Sequence, residues 1–154
     1  MKTKFRAWDK YLKEMFHNVN PIFDDDGNLD FIIYEYGNTG YNMIEINLKK
    51  WDSSMLYHYD EGIPVELMQY TGLKDLNGVE IYEGDVVEFC DFDSLRTGGN
   101  TSDKTRKAEV VFIQGGYFVK EGDYEALLYD ALINDSELTI IGNVYQNKDL
   151  LEEK

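Results

Sequence analysis

The sequence predicts a mainly β chain with minor α content. Short runs of β-branched and aromatic residues recur throughout, drawing on a composition in which aromatics reach 14%, with twelve tyrosines. Such side chains suit a pleated, partly buried surface. Turn residues, above all Asp-Gly and Asn-Gly pairs, separate these runs at short intervals. Only one segment departs from the pattern and carries helical periodicity.

Taken in order, "KFRAWD" (4–9) alternates Phe5 and Ala7 with Lys4 and Arg6, and "KEMFHNV" (13–19) is expected to pair with it across "KYL" as an opening hairpin. Asp26-Gly27 then falls between apolar runs, where a tight turn needs a residue that tolerates positive φ. "FIIYEY" (31–36), "YNMIEINL" (41–48) and "SMLYHYD" (54–60) read as further strands. In the second half, "DVVEFCDF" (85–92), "AEVVFIQ" (108–114), "GYFVKE" (116–121) and "ELTIIGNVY" (137–145) have the spacing of a small barrel or sandwich. Within "DYEALLYDALIN" (123–134), Tyr124, Leu127, Leu128, Ala131 and Leu132 follow the i, i+3, i+4, i+7, i+8 rule, which predicts a short amphipathic helix near 124–133 laid over the sheet. "SLRTGGNTSDKT" (94–105) is the loosest stretch and is expected to be a loop.

A chain of 154 residues has material for one good core or two small ones. The reading places a β-rich N-terminal region at 1–66 and a second domain at 67–154. The net charge of −15 is uneven: 1–66 hold 7 basic and 12 acidic side chains, 67–154 hold 8 and 18. This acidity disfavours a general nucleic-acid binder, which draws its affinity from clustered Lys and Arg. A local basic island, Arg96, Lys104, Arg106 and Lys107, is the exception, and a third functional reading, a nucleic-acid-binding barrel, would use it. The N-terminal "MKTKFRAWDKYLKEMF" lacks the apolar central run of a signal peptide, and no span approaches the roughly 20 apolar residues that cross a bilayer. A soluble cytoplasmic protein, within a bacterial host cell, is the expectation.

Tests for chemistry return nothing. One cysteine, Cys90, excludes an internal disulfide and a four-cysteine zinc site. The histidines, His17 and His58, are isolated, and Cys90 sits in an alternating β run where a small hydrophobe is expected. A calcium loop built on Gly27 would begin at Ile22 and end at Ile33, and one built on Gly78 would begin at Leu73 and end at Gly84, so both lack the terminal carboxylates. Neither phosphate-loop nor dinucleotide glycine pattern is present. No catalytic, cofactor-binding or metal-binding residue is assigned, and no cofactor.

The most conspicuous stretch is "MQYTGLKDLNGVEIYEGDVV" (68–87). Its glycines and acids suit turns: Asn77-Gly78 as a hairpin turn, Gly72 for close approach, Ile81 and Tyr82 pointing into the sheet, and Gly84-Asp85 turning into the strand 86–92. Together with "KFRAWD" near the N-terminus and "IIGNVYQNKDLL" (140–151), this order of motifs resembles the YopX-like family of small phage and prophage proteins. The resemblance implies a C-terminal part similar to an SH3-type barrel and carries over no catalytic residue. Residues 18–64 and 93–107 match no motif of it.

The function expected on these grounds is that of an uncharacterised phage or prophage accessory protein: a non-enzymatic module that binds a host or phage protein, or a homo-oligomer pairing its exposed strand edges. The alternative is an acidic DNA mimic, with Asp24, Asp25, Asp26, Asp91, Asp93, Asp123 and Glu125 forming a duplex-like ridge.

Overall fold

The structure, a computed structural model, describes residues 3–10, 13–27, 29–35, 43–47, 65–92, 98, 99 and 103–151. The chain divides into two units, Met1–Gln69 and Tyr70–Lys154. The strand expected at 54–60 and His58 lie outside the described residues.

In the first unit, β1 (Phe5–Asp9) and β2 (Glu14–Phe23) form the opening hairpin, with Ala7 opposite Phe16 and Asp9 opposite Glu14. A tight turn follows. The Asp24 carbonyl accepts the Gly27 N–H at 3.0 Å, and Gly27 takes φ 84°, a conformation that costs glycine little. β3 (Leu29–Glu35) and β4 (Met43–Asn47) continue the antiparallel meander. On the other side of β1, residues 65–69 of β5 (Val65–Lys74) pair antiparallel, Phe5 opposite Gln69 and Asp9 opposite Val65. Ala7, Phe16, Val19, Val65 and Met68 are buried here, and so are Arg6 and Asp9.

The second unit begins inside β5. Tyr70 pairs with Tyr82 and Lys74 with Glu80 of β6 (Glu80–Tyr82), the register shifting between the two pairs where Gly72 adopts φ 87°. Such an irregularity leaves backbone groups for side chains to satisfy. Thr71 does so twice: its hydroxyl donates to the Ile81 carbonyl at 2.8 Å and accepts the Leu73 N–H at 3.2 Å. The expected inward Ile81 and Tyr82 are 0% and 8% exposed.

β7 (Asp85–Asp91), β8 (Lys104–Ile113), β9 (Gly116–Glu121), β10 (Tyr124–Leu127) and β11 (Thr139–Asn143) form an antiparallel sheet in the order β10-β9-β8-β7-β11. Helix α1 (Leu128–Asn134) follows β10 directly, and a 3-10 turn closes at Lys148–Leu151. Val87, Phe89, Ala108, Val110 and Val119 line one face of the sheet and pack with Ile81, Leu128, Ala131 and Leu138 in one core. Leu128 and Ala131, three apart, are the buried stripe of α1.

Three expectations are corrected. The sheet stays open: β10 and β11 are its two ends, so the SH3-like barrel is not closed. α1 packs on β7, β9 and β10 and adds Leu128 and Ala131 to the core. The helix expected over 124–133 is half strand. Tyr124 to Leu127 pair with Glu121 to Phe118 across a turn in which Gly122 takes φ 56°, and the helix starts only at Leu128. A two-residue turn after β9 makes strand pairing the nearest partner for these backbone groups, and the ladder overrides the local helical spacing. Finally, Lys104–Lys107 belong to β8 rather than to a loop, paired with Asp91 to Glu88.

Candidate functional site

The acids and glycines of 68–87 are the first place to look for chemistry, and its two aspartates, Asp75 and Asp85, turn acceptor atoms onto the chain itself. Asp75 is 8% exposed. One carboxylate oxygen accepts the N–H groups of Asn77 and Val79, both at 2.9 Å, and the other accepts the Ile140 N–H at 3.0 Å. Asp85, 2% exposed, accepts the Tyr82 N–H at 2.8 Å. Farther along, Asp135 accepts the N–H groups of Cys90 (2.7 Å) and Glu137 (2.9 Å). Asn143 accepts those of Tyr145 and Gln146 at 3.0 and 2.8 Å, while its amide donates to the Gln146 side chain at 2.7 Å. Buried carboxylates that accept backbone amides are satisfied structural groups.

The basic island is dispersed. Arg96 lies outside the described residues, as does Asp93. Arg106 is held between carboxylates: its Nε is 3.0 Å from Asp91 and its Nη1 3.2 Å from Glu121, with the guanidinium 3.8 Å above the Tyr124 ring. Burial draws the basicity of this group down, but the hydrogen bonds to Asp91 and Glu121 outweigh it and hold the pKa above its usual value. Arg106 therefore fastens β7, β9 and β10 to β8. Lys104 and Lys107 are exposed, at strand positions of opposite parity that face opposite sides of the sheet. Among the carboxylates expected on a duplex-like ridge, Asp91 is buried against Arg106, while Asp25, Asp26, Asp123 and Glu125 are exposed.

Cys90 is in β7, as expected of an alternating run. Partial desolvation, then the charges of Asp103, Asp135 and Asp91, push its thiol pKa up. That is opposite to the shift which activates a cysteine nucleophile. His17 is an exposed strand residue of β2. Among the described residues, no group of three or more His, Cys, Asp or Glu side chains is placed to hold a metal ion, and no helix is long and apolar enough to cross a membrane.

What the second unit does present is apolar surface. α1 buries Leu128 and Ala131 but turns Tyr129 and Ile133, one turn apart, outward at 60% and 62% exposure. The turn after α1, where Leu138 donates its N–H to the Asp135 carbonyl at 3.2 Å, leads to a second such place. There the Leu138 carbonyl accepts the Leu76 N–H at 2.9 Å, which docks the tip of the β5–β6 hairpin. That tip exposes Leu76 (56%) and Val79 (52%). Tyr129 and Ile133 on α1, and Leu76 and Val79 on the hairpin tip, are thus exposed apolar pairs at the two ends of a path joined by the 135–138 turn and the Leu76–Leu138 hydrogen bond. Along it Asp130 and Glu137 are exposed, and residues 121–147 contain no lysine or arginine against six acids. Sequence reasoning missed this surface. Its signal was present in Tyr129 and Ile133, two large apolar residues left over on the face that the helical pattern assigned to solvent.

Comparison with known proteins places the chain. A crystal structure of protein EF1440 from Enterococcus faecalis superposes with a TM-score of 0.66 at 32% identity, covering 99% of both chains. The crystal structure of protein yopX from Bacillus subtilis superposes with a TM-score of 0.58 at 23% identity, covering 99% of this chain and 100% of that one, a likeness of fold. No curated protein sequence matches. A sequence model described as YopX protein matches residues 4–152, nearly the whole chain, and the chain belongs to the YopX family.

Proposed function

We propose that the chain is a non-enzymatic accessory protein of phage or prophage origin that acts in the bacterial cytoplasm by binding another protein through its second unit, an open variant of an SH3-type barrel. One observation carries this reading: Tyr129 and Ile133, one turn apart on α1, and Leu76 and Val79 at the hairpin tip are each more than half exposed. Large apolar side chains grouped on a surface mark interaction sites more often than scattered ones do. The non-enzymatic part draws support from the polar groups. Asp75, Asp85, Asp135 and Asn143 spend their acceptors on backbone amides, and Arg106 is neutralised between two carboxylates.

A photo-crosslinking amino acid placed at position 129 in the full chain tests the reading in cells. The expected result is a discrete crosslinked protein that is absent when the same group replaces the exposed Asp25 of the first unit. Equal crosslinking at both positions, or none at 129, would overturn it.

A second reading, self-association, draws on β10, a four-residue strand at the end of its sheet. Edge strands offer backbone groups for pairing with another copy. Sedimentation velocity across micromolar concentrations is expected to show a dimer on this reading, and a monomer throughout would remove it.

A further inference from the structure

We propose that Asn77 is a modification site: it deamidates spontaneously, with water as the only co-reactant, when the tip of the β5–β6 hairpin opens, and the isoaspartate so formed undoes the hold of Asp75 on β11. The inference stands apart from the protein-binding reading.

Two adjacent residues set the chemistry. Asn77 is the only asparagine of the chain that is followed by glycine. In deamidation the Gly78 amide nitrogen gives up its proton and attacks the side-chain carbonyl carbon of Asn77. The new C–N bond closes a succinimide ring, and the side-chain nitrogen leaves with the bonding pair, takes up a proton and departs as ammonia. Water then adds to one of the two ring carbonyls and breaks its bond to the ring nitrogen. Opening at the former side-chain carbonyl gives aspartate. Opening at the main-chain carbonyl gives isoaspartate, whose main chain is longer by one methylene. Glycine suits the attack because it has no Cβ to crowd the nitrogen and its backbone is the least restricted. Around Gly78 the space is open: a Cβ there would meet nothing within 4 Å, and Leu76, Asn77 and Val79 are exposed beside it.

The closed turn withholds the nucleophile. The Gly78 N–H donates to the Asp75 carbonyl at 3.0 Å, and Asp75 Oδ1 accepts the N–H groups of Asn77 and Val79 on either side at 2.9 Å. An amide whose proton is engaged and whose neighbours are fixed is a poor attacking group, so the reaction waits on opening of the tip. That opening is local. It breaks bonds of exposed residues, the one from the Leu76 N–H to the Leu138 carbonyl among them, while Ile81 and Tyr82 beyond the tip stay buried. The isoaspartate form does not re-close the turn, because the added methylene shifts the Gly78 and Val79 N–H groups relative to Asp75. Since Asp75 also holds the Ile140 N–H at 3.0 Å, a change at the exposed tip reaches the end strand of the sheet.

The full chain and a linear peptide of residues 72–82 are incubated side by side at mildly alkaline pH, with peptide mapping by mass spectrometry and enzymatic methylation of isoaspartate as readouts. Asn77 is expected to convert in both, at least about tenfold more slowly in the chain, and about fivefold faster in folded Asp75→Asn than in the natural chain. Relative to the peptide, the rate in the chain should stay nearly constant in urea below the unfolding transition, since tip opening exposes little surface. Conversion of the peptide with none in the chain, equal rates in the two, or a rate that climbs with the global unfolding equilibrium would each overturn the gated site. The isoaspartate form is then separated by ion exchange. Its Ile140 amide should exchange hydrogen about tenfold faster than in the natural chain, whereas Asn77→Asp, which adds the charge without the methylene, should change it less than about twofold. Unchanged exchange in the isoaspartate form, or equal acceleration in both, would overturn the release of β11.

Discussion

The two units each contain a turn of the form Asp-x-x-Gly, Asp24–Gly27 and Asp75–Gly78, and locally the two are the same object. In both, the first aspartate's carbonyl accepts the glycine N–H at 3.0 Å, its carboxylate accepts the N–H two residues on, at 3.0 and 2.9 Å, and the glycine takes φ 84° or 78°. Asp-x-x-Gly is sufficient for that geometry. The difference is in reach. The carboxylate bond at Asp24 is solvent-exposed, whereas Asp75 is buried and its second oxygen holds Ile140, 65 residues away, while Leu76 beside it holds Leu138. One turn reverses the chain. The other also fastens the end strand of a sheet.

Replacing the two aspartates separates these roles. Asp75→Ala strands three N–H groups, of which Ile140 lies at the edge of the core, and is expected to cost about 3 kcal/mol in urea unfolding. Asp24→Ala, with water available to the freed amide, is expected to cost under about 1 kcal/mol. Equal costs would mean that the long-range bond to Ile140 adds nothing. Asp75→Asn keeps a single acceptor oxygen and can satisfy either the turn or Ile140 but not both, so an intermediate loss of about 1.5 kcal/mol is expected. Hydrogen exchange should then report which amide was released, Ile140 or the Asn77 and Val79 pair.

The glycines sharpen the comparison from the other side. A Cβ on Gly27 or Gly78 would meet nothing within 4 Å, so substitution at either is charged only for the left-handed backbone. Gly27→Ala and Gly78→Ala should therefore lose similar amounts, about 1 kcal/mol each. If Gly78→Ala costs markedly more, strain at the tip is propagating through Leu76 to Leu138 and the two turns are not locally equivalent.

The pattern of what was legible follows the same line. Hairpins at Asp26-Gly27 and Asn77-Gly78, the inward Ile81 and the strands of the second half were readable because neighbours in sequence determine them. The bond from Asp75 to Ile140 was not, since nothing local distinguishes Asp75 from Asp24. Residues 124–127 were misread for a related reason. Their helical spacing is real, but the ladder to Phe118–Glu121 supplies tertiary pairing that the spacing does not encode. Arg106 shows it again: counted as part of a basic island, it is instead enclosed by Asp91, Glu121 and Tyr124, brought in from β7, β9 and β10. The candidate surface escaped because amphipathic analysis seeks the buried stripe, and Tyr129 and Ile133 matter for not being on it.

The smallest expected effect concerns a carboxylate that burial penalises. Glu109 of β8 has its pKa raised by desolvation first and by the charge of Glu83 second, with Lys120, its cross-strand neighbour, pulling the other way. A carboxyl raised in the folded state binds its proton more tightly there than in the unfolded chain. Folding is then unpenalised at pH values below the ordinary glutamate range, where both states are protonated, and is penalised increasingly as pH rises through the folded pKa. Glu109→Gln removes the penalty, so the variant should be slightly more stable than the natural chain at neutral pH and lose that advantage as the pH is lowered through the carboxylate range. Thermal melts at a series of pH values measure the difference between the two proteins directly. A gain of the same size at every pH would assign the effect to packing, and a loss at neutral pH would mean that the attraction of Lys120 outweighs burial and that Glu109 belongs with Asp75 among the acids that hold the sheet together.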